Sequence, residues 1–91
     1  MSYERLQMAS SKAVGTKQVT KAVMKGTARA VYIARDAETH VTRPLMQLCL
    51  ERGIEVIEVD SMQELGRACG IEVGSASAVI IEEPAYGSNE G

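Results

Sequence analysis

Between Gly15 and Lys21 the chain reads G-T-K-Q-V-T-K, which puts two cations, an amide and two hydroxyls within seven residues, directly after a glycine. If a helix opens here, its first N–H groups lack intrahelical partners and its dipole presents positive charge. Lys17 and Lys21 are four residues apart, so both face the same side of that helix and make its end attractive to an anion. The chemistry goes beyond charge. Lys17 can donate to the O6 and N7 acceptors of a guanine edge. The amide oxygen of Gln18 can accept from guanine N–H groups, and the hydroxyls of Thr16 and Thr20 add short contacts. A helix end of this make-up reads base edges as well as phosphate.

Other patterns carry less. The 15–21 segment has a glycine and a closing lysine but not the second glycine of a phosphate-binding G-x-x-x-x-G-K-[ST] loop. Gly66, Gly70 and Gly74 recur every four residues without forming G-x-G-x-x-G after a strand, so helix capping and close packing account for them better. His40 is the only histidine and reads as a surface residue where a helix begins. Cys49 and Cys69 stand apart with no C-x-x-C pair, which predicts buried free thiols and no zinc site. No Ser-His-Asp or Cys-His arrangement is visible. The expectation is a chain that is not an enzyme and needs no cofactor or metal.

The elements that must position the 15–21 segment follow from spacing and caps. A first helix is predicted over about Tyr3–Lys12. Thr16 is a suitable N-cap for a helix over Lys17–Lys25, with Gly26 ending it in the left-handed conformation. Val19, Ala22 and Val23 form its apolar face. Lys17, Lys21 and Lys25 fall within an arc of about 80° on the opposite side, with Gln18 at its edge. Ala28–Ala34 reads as a buried strand, with Arg35 and Asp36 at its carboxyl end. Pro44 fits the first turn of the next helix; Leu45, Leu48 and Cys49 face inward and Gly53 closes it. Glu55–Val59 is a second strand. Ser61 and Glu64 form a capping box opening a short helix with Leu65, Ala68 and Cys69 inward, ended by Gly70. A connection over Ile71–Ala76 leads to the strand Ser77–Ile81. A very short strand near Val14–Gly15 is left open. Helices and strands alternating in this order favour helices on both faces of a central sheet.

The chain has 91 residues, the size of one domain. Residues 1–82 are expected to form it, with 83–91 an acidic, mobile tail. No apolar run approaches the roughly 18 residues of a membrane span, and the first residues lack a secretory pattern, so the default location is the cytoplasm. The core must be built from Val, Ile, Leu, Met and Ala, because there is no Phe or Trp and only three Tyr. Net charge is −2, but it is segregated. Residues 1–35 hold Arg5, Lys12, Lys17, Lys21, Lys25, Arg29 and Arg35 against Glu4 alone, a net of +6. Residues 36–91 hold three arginines against eleven acids, a net of −8. Such a molecule can meet a polyanion with one end while the other repels it, or its lysines can simply solvate a helix face. The dearth of aromatics argues against stacking single-stranded bases. A folded RNA with a distorted, opened groove suits a protruding helix end better, since regular A-form RNA hides its base edges.

At this point the residues show a likeness. G-T-K-Q-V-T-K-A-V-M-K-G (15–26) resembles the G-T-N-E-x-x-K-x-x-x-x-G segment of the ribosomal L7Ae, L30e and 15.5-kilodalton group. V-Y-I-A-R-D (31–36), L-C-x-x-x-x-I (48–54) and S-M-Q-E-L-G-R-A-C-G-I-E-V-G-S-A-S (61–77) follow in the order and spacing of that family. The Lys-Gln form at 17 and 18 resembles its bacterial branch. The resemblance implies a three-layer α-β-α sandwich with a small mixed central sheet, and a monomer. It implies binding to the kink-turn, an RNA helix bent at a short bulge beside tandem sheared G·A pairs, in ribosomal or other structured RNA and with the ribosome as a possible setting; DNA and membrane are not expected partners. Carried over by motif position, the contacts are Gly15, Thr16, Lys17, Gln18 and Lys21; Arg35, at the carboxyl end of the 28–34 strand, is a further expected RNA-binding residue. An apolar loop covering the bulged nucleotides maps onto Ile71, Glu72, Val73, Gly74 and Ser75. That loop is implied by the resemblance alone; the residues themselves read as a connection. Lys and Gln in place of Asn and Glu turn a neutral–anionic pair into a cationic–neutral one, so the Gln18 contact loses charge assistance. Met62 stands where relatives often have lysine.

Two further readings compete. A protein-interaction module would use the acidic face and tail and would show no thermal response to RNA. A nucleotide-binding enzyme subunit would rest on the helix end at Thr16 and would respond to phosphate or nucleotide.

Overall fold

The alternation of elements is realised as a single sheet with helices on both faces. The computed structural model describes residues 3–83. In chain order the elements are α1 (Glu4–Met8), β1 (Ser11–Val14), α2 (Thr16–Lys25), β2 (Ala30–Ala34), α3 (Thr39–Glu51), β3 (Glu55–Val59), α4 (Met62–Ala68) and β4 (Ser77–Glu82). The strand order is β1-β4-β2-β3. β4 runs antiparallel to β1 and β2, while β2 and β3 are parallel, so the sheet is mixed. A parallel pair needs a crossover connection, and α3 supplies it.

Residues of the central strands alternate between two apolar layers, as the two-residue repeat of a strand requires. Ala30, Tyr32 and Ala34 of β2, with Ala78 and Ile80 of β4, pack with Leu6 of α1 and Leu65 and Ala68 of α4. Val31, Ile33 and Val79 pack on the opposite face with Val19, Ala22 and Val23 of α2 and Leu45 and Cys49 of α3. Both faces are therefore covered, which is the three-layer α-β-α sandwich expected. Every residue of β2 is buried, in keeping with its central place. Tyr32 is the largest fully buried side chain, and the core otherwise uses small and aliphatic residues.

The first helix is shorter than its predicted span. It ends at Met8, where Ala9 turns to extended backbone. Ser10 N–H then donates to the Glu82 carbonyl at 2.9 Å, and 11–14 become an edge strand paired with β4. The Lys12 ammonium reaches back to the carbonyls of Leu6 and Gln7, both at 3.2 Å, and satisfies the open end of the helix. A five-residue helix has no stability of its own. Here the ladder with β4 outweighs local helical preference.

The helix α3 begins earlier than Pro44 suggested. It starts at Thr39, so Pro44 sits beyond the first turn, on the exposed side, where its missing N–H leaves one intrahelical bond unmade. His40 lies in the first turn, exposed, with Nε2 3.3 Å from the Glu38 carboxylate. Gly26 closes α2 in the left-handed conformation and Ser61 caps α4 by accepting from Glu64 N–H at 3.1 Å, as expected. The predicted strand 28–34 is trimmed to 30–34, and the last strand extends through Glu82. Of the expected tail, Glu83 is held by Arg5, and 84–91 lie outside the described residues.

Candidate nucleic-acid interface

The helix end at 15–21 is built by Gly15 rather than Thr16. Gly15 is the N-cap residue, with φ 98° and ψ 144°, backbone angles that a side chain disfavours strongly. Its carbonyl accepts the first helical bond from Val19 N–H at 2.9 Å. Thr16 is the first residue of α2 and makes no capping bond. Its Oγ1 instead lies 3.4 Å from Ser77 Oγ, turned toward the sheet. The first-turn N–H groups thus have no side-chain cap, and the positive end of the helix is left open.

The side chains on that end divide as the spacing requires. Val19, Ala22 and Val23 are buried, and Lys17, Gln18 and Lys21 are exposed. Among the described residues no carboxylate lies within ion-pair distance of Lys17, Lys21 or Lys25. A depression of about 250 Å³ beside the helix is lined by Gln18, Lys21 and Lys25 together with Ala13 and Ile81.

Residues 71–75 fold back onto α4. Ile71 N–H donates to the Gly66 carbonyl and Ser75 N–H to the Met62 carbonyl, both at 3.0 Å. Ile71 and Val73 are exposed, Val73 by 69%. Glu72 and Gly74 are exposed as well. Ser75 differs: it is buried, and its hydroxyl is spent on the Ser77 carbonyl at 2.7 Å. Met62 is half-buried against the core, and its N–H donates to Asp36 Oδ1 at 2.8 Å.

The tip and the loop meet at Ser77. Its carbonyl accepts from Gly15 N–H at 3.0 Å and from the Ser75 hydroxyl, and its own hydroxyl meets Thr16. Ser77 is fully buried and its bond from Ser75 with it, while the contact to Thr16 is only partly covered. Sequence reasoning did not single out Ser77. A serine opening an apolar strand run was the available signal.

Arg35 lies at the carboxyl end of β2, the same end of the sheet as the tip. Its guanidinium is engaged elsewhere, with Glu58 at 3.4 Å and Asp60 at 3.9 Å. Glu58 belongs to β3 and Asp60 follows it, at the sheet edge opposite β1. The unpaired lysines and these carboxylates therefore occupy different sides of the molecule. Both thiols are free. Cys49 is fully buried as expected and Cys69 only half-buried, and burial pushes both thiols up from their ordinary range. Among the described residues there is no group of three or more His, Cys, Asp or Glu arranged to hold a metal ion, and no helix is long and apolar enough to cross a membrane.

Residues 3–89 match the family model described as the Ribosomal protein L7Ae/L30e/S12e/Gadd45 family. An RNA-binding protein of Bacillus pumilus (strain SAFR-032) is 41% identical over 81 residues, covering 89% of this chain and 99% of that protein. An RNA-binding protein of Caldanaerobacter subterraneus subsp. tengcongensis is 47% identical over 75 residues, covering 82% of this chain and 92% of that one. Among solved structures, the Giardia lamblia 15.5kD RNA binding protein superposes with a TM-score of 0.76 at 31% identity. That match covers 85% of this chain and 65% of the Giardia chain.

Proposed function

This chain belongs to the Ribosomal protein L7Ae/L30e/S12e/Gadd45 family, and on that premise we propose that it binds RNA, recognising and stabilising kink-turns in ribosomal or other structured RNA. The observation that carries the reading is the pairing of an uncapped, cation-bearing helix end with an exposed apolar loop, joined through Ser77. Lys17, Gln18 and Lys21 would meet the edges and phosphates of the G·A pairs, using the widened groove at the kink. Ile71 and Val73 would cover the unstacked bulge nucleotides. Gly15 and Thr16 shape the tip. Gly74 and the exposed Glu72 border the loop's apolar surface.

Arg35, at the same end of the sheet, would have to release Glu58 and Asp60, which share its guanidinium, before it could join the RNA contact. The binding domain in this reading spans 1–82, acts as a monomer without a cofactor, and works in the cytoplasm, in a ribosomal or regulatory ribonucleoprotein. Kink-turn stabilisation requires tighter binding to the bent RNA than to the extended one. A gel-shift comparison of a kink-turn RNA with the same stem lacking its bulge tests this. Preference for the kinked RNA is the expected result, and equal affinity would sink the reading.

A further inference from the structure

We propose that Ser75 is a positioning residue which, with Gly66, holds the apolar loop at a fixed distance from the helix tip before any RNA arrives. The proposal rests on the kink-turn reading and deepens it. A preset spacing makes the surface selective for RNA in which an unstacked nucleotide already lies at the matching distance from the G·A edges.

Three observations point to it. The Ser77 carbonyl is a shared acceptor: Gly15 N–H, at the tip, reaches it from 3.0 Å, and the Ser75 hydroxyl, at the end of the loop, from 2.7 Å. A carbonyl oxygen has two lone pairs, and this arrangement uses both. Tip and loop are thus tied to one atom of a fully buried residue, where water cannot compete for the bonds.

The other side of the loop is fixed by close approach. A Cβ built on Gly66 would collide with the Val73 carbonyl oxygen, and would lie 3.0 Å from its carbon and 3.2 Å from Gly74 Cα. These neighbours are main-chain atoms and have no rotamer by which to move aside. Only a residue without a side chain lets Val73 sit this close to α4. Gly74 packs in turn against Met62, where an added Cβ would stand 3.2 Å from the Met62 Cβ.

The loop's own amides complete the clamp, Ile71 N–H on Gly66 and Ser75 N–H on Met62. Between these fixed points the side chains of Ile71 and Val73 remain exposed. A loop ordered in advance loses less freedom on binding, so its contacts appear more fully in the affinity. In this account Ser75 touches no RNA, although its position in the family motif suggests contact.

The test reads a ratio. Wild-type, Ser75→Ala and Gly66→Ala proteins, as full chains, are titrated with a kink-turn RNA and with the same stem lacking the bulge. Partial unfolding lowers both affinities alike and leaves their ratio unchanged. Loss of loop positioning lowers the ratio, by about tenfold if roughly one nucleotide contact is forfeited. A wild-type ratio retained by Ser75→Ala overturns the proposal while the kink-turn reading stands. A wild-type ratio near one overturns both. Should either variant fail to fold, amide exchange in the free wild-type protein decides. Protection of Ile71 and Ser75 amides without RNA is expected, and free exchange until RNA is added overturns the proposal.

Discussion

Arg5 holds Glu83 through two guanidinium nitrogens, Nε to Oε2 at 2.7 Å and Nη2 to Oε1 at 3.3 Å, while Nη1 reaches Glu55 at 3.1 Å. One side chain of the short first helix thereby joins the end of β4 to the start of β3. The guanidinium holds the Glu83 carboxyl below its ordinary value of 4.5, and the two carboxylates push the arginine further up. A carboxylate with a depressed pKa stabilises the fold above its ordinary pKa, and that contribution is lost as pH falls through the depressed one. Melting temperature is therefore expected to fall on acidification below pH 4.5, with a smaller fall in Arg5→Ala. Added salt should also narrow the difference between wild type and variant, because the pair is partly exposed. Identical pH profiles for the two proteins would refute this role.

Lys21→Ala and Gln18→Ala are each expected to reduce specific RNA affinity by about 1–3 kcal/mol, the range for a lost base-edge contact. Neither should change the melting temperature, because both side chains are exposed. Salt titration separates the two. Removing the lysine should reduce the slope of log K against log[salt] by about one, whereas removing the glutamine should leave it.

Gly15→Ala is expected to lower stability by about 1–3 kcal/mol, since nothing crowds the position and the cost is backbone strain alone. Denaturant melts give that figure. Because the same angles aim the first turn of α2, RNA affinity should fall further than the stability loss explains. An unperturbed melt would mean that the chain adopts another conformation at the tip.

Thiol labelling at neutral pH should be slow at both cysteines in the native protein, and slower at Cys49 than at Cys69. Burial keeps both protonated, and only the thiolate reacts. Rapid stoichiometric labelling of Cys49 without denaturant would contradict its burial.

The layers of the fold were legible in the sequence because α2 and β2 carry strong periodic or continuous apolar patterns. Val19, Ala22 and Val23 could face only one way, and the run through Ala34 could only be central. β1 was not legible as Ser11–Val14, since Ser-Lys-Ala-Val carries no alternation and its pairing depends on β4, more than sixty residues away. Pro44 misled because a proline is tolerated inside an exposed helix face when tertiary contacts hold the turns around it. At the site, the exposed residues of the tip were readable from spacing. The N-cap was misassigned because threonine's capping preference is a local rule, and here its hydroxyl turns to Ser77. The loop at 71–75 followed only from family likeness, and the inward turn of Ser75 is a long-range consequence that no local pattern carries.

The separation of the α2 lysines, which meet no carboxylate among the described residues, from the sheet edge where Glu55, Glu58 and Asp60 outnumber the arginines that pair with them has a kinetic consequence. A molecule so polarised is turned by the field of a polyanion while still diffusing toward it, and it arrives lysines first. Misoriented collisions are discouraged by the acidic edge, so a chain of net negative charge can still be captured rapidly by the most negative polymer in its surroundings.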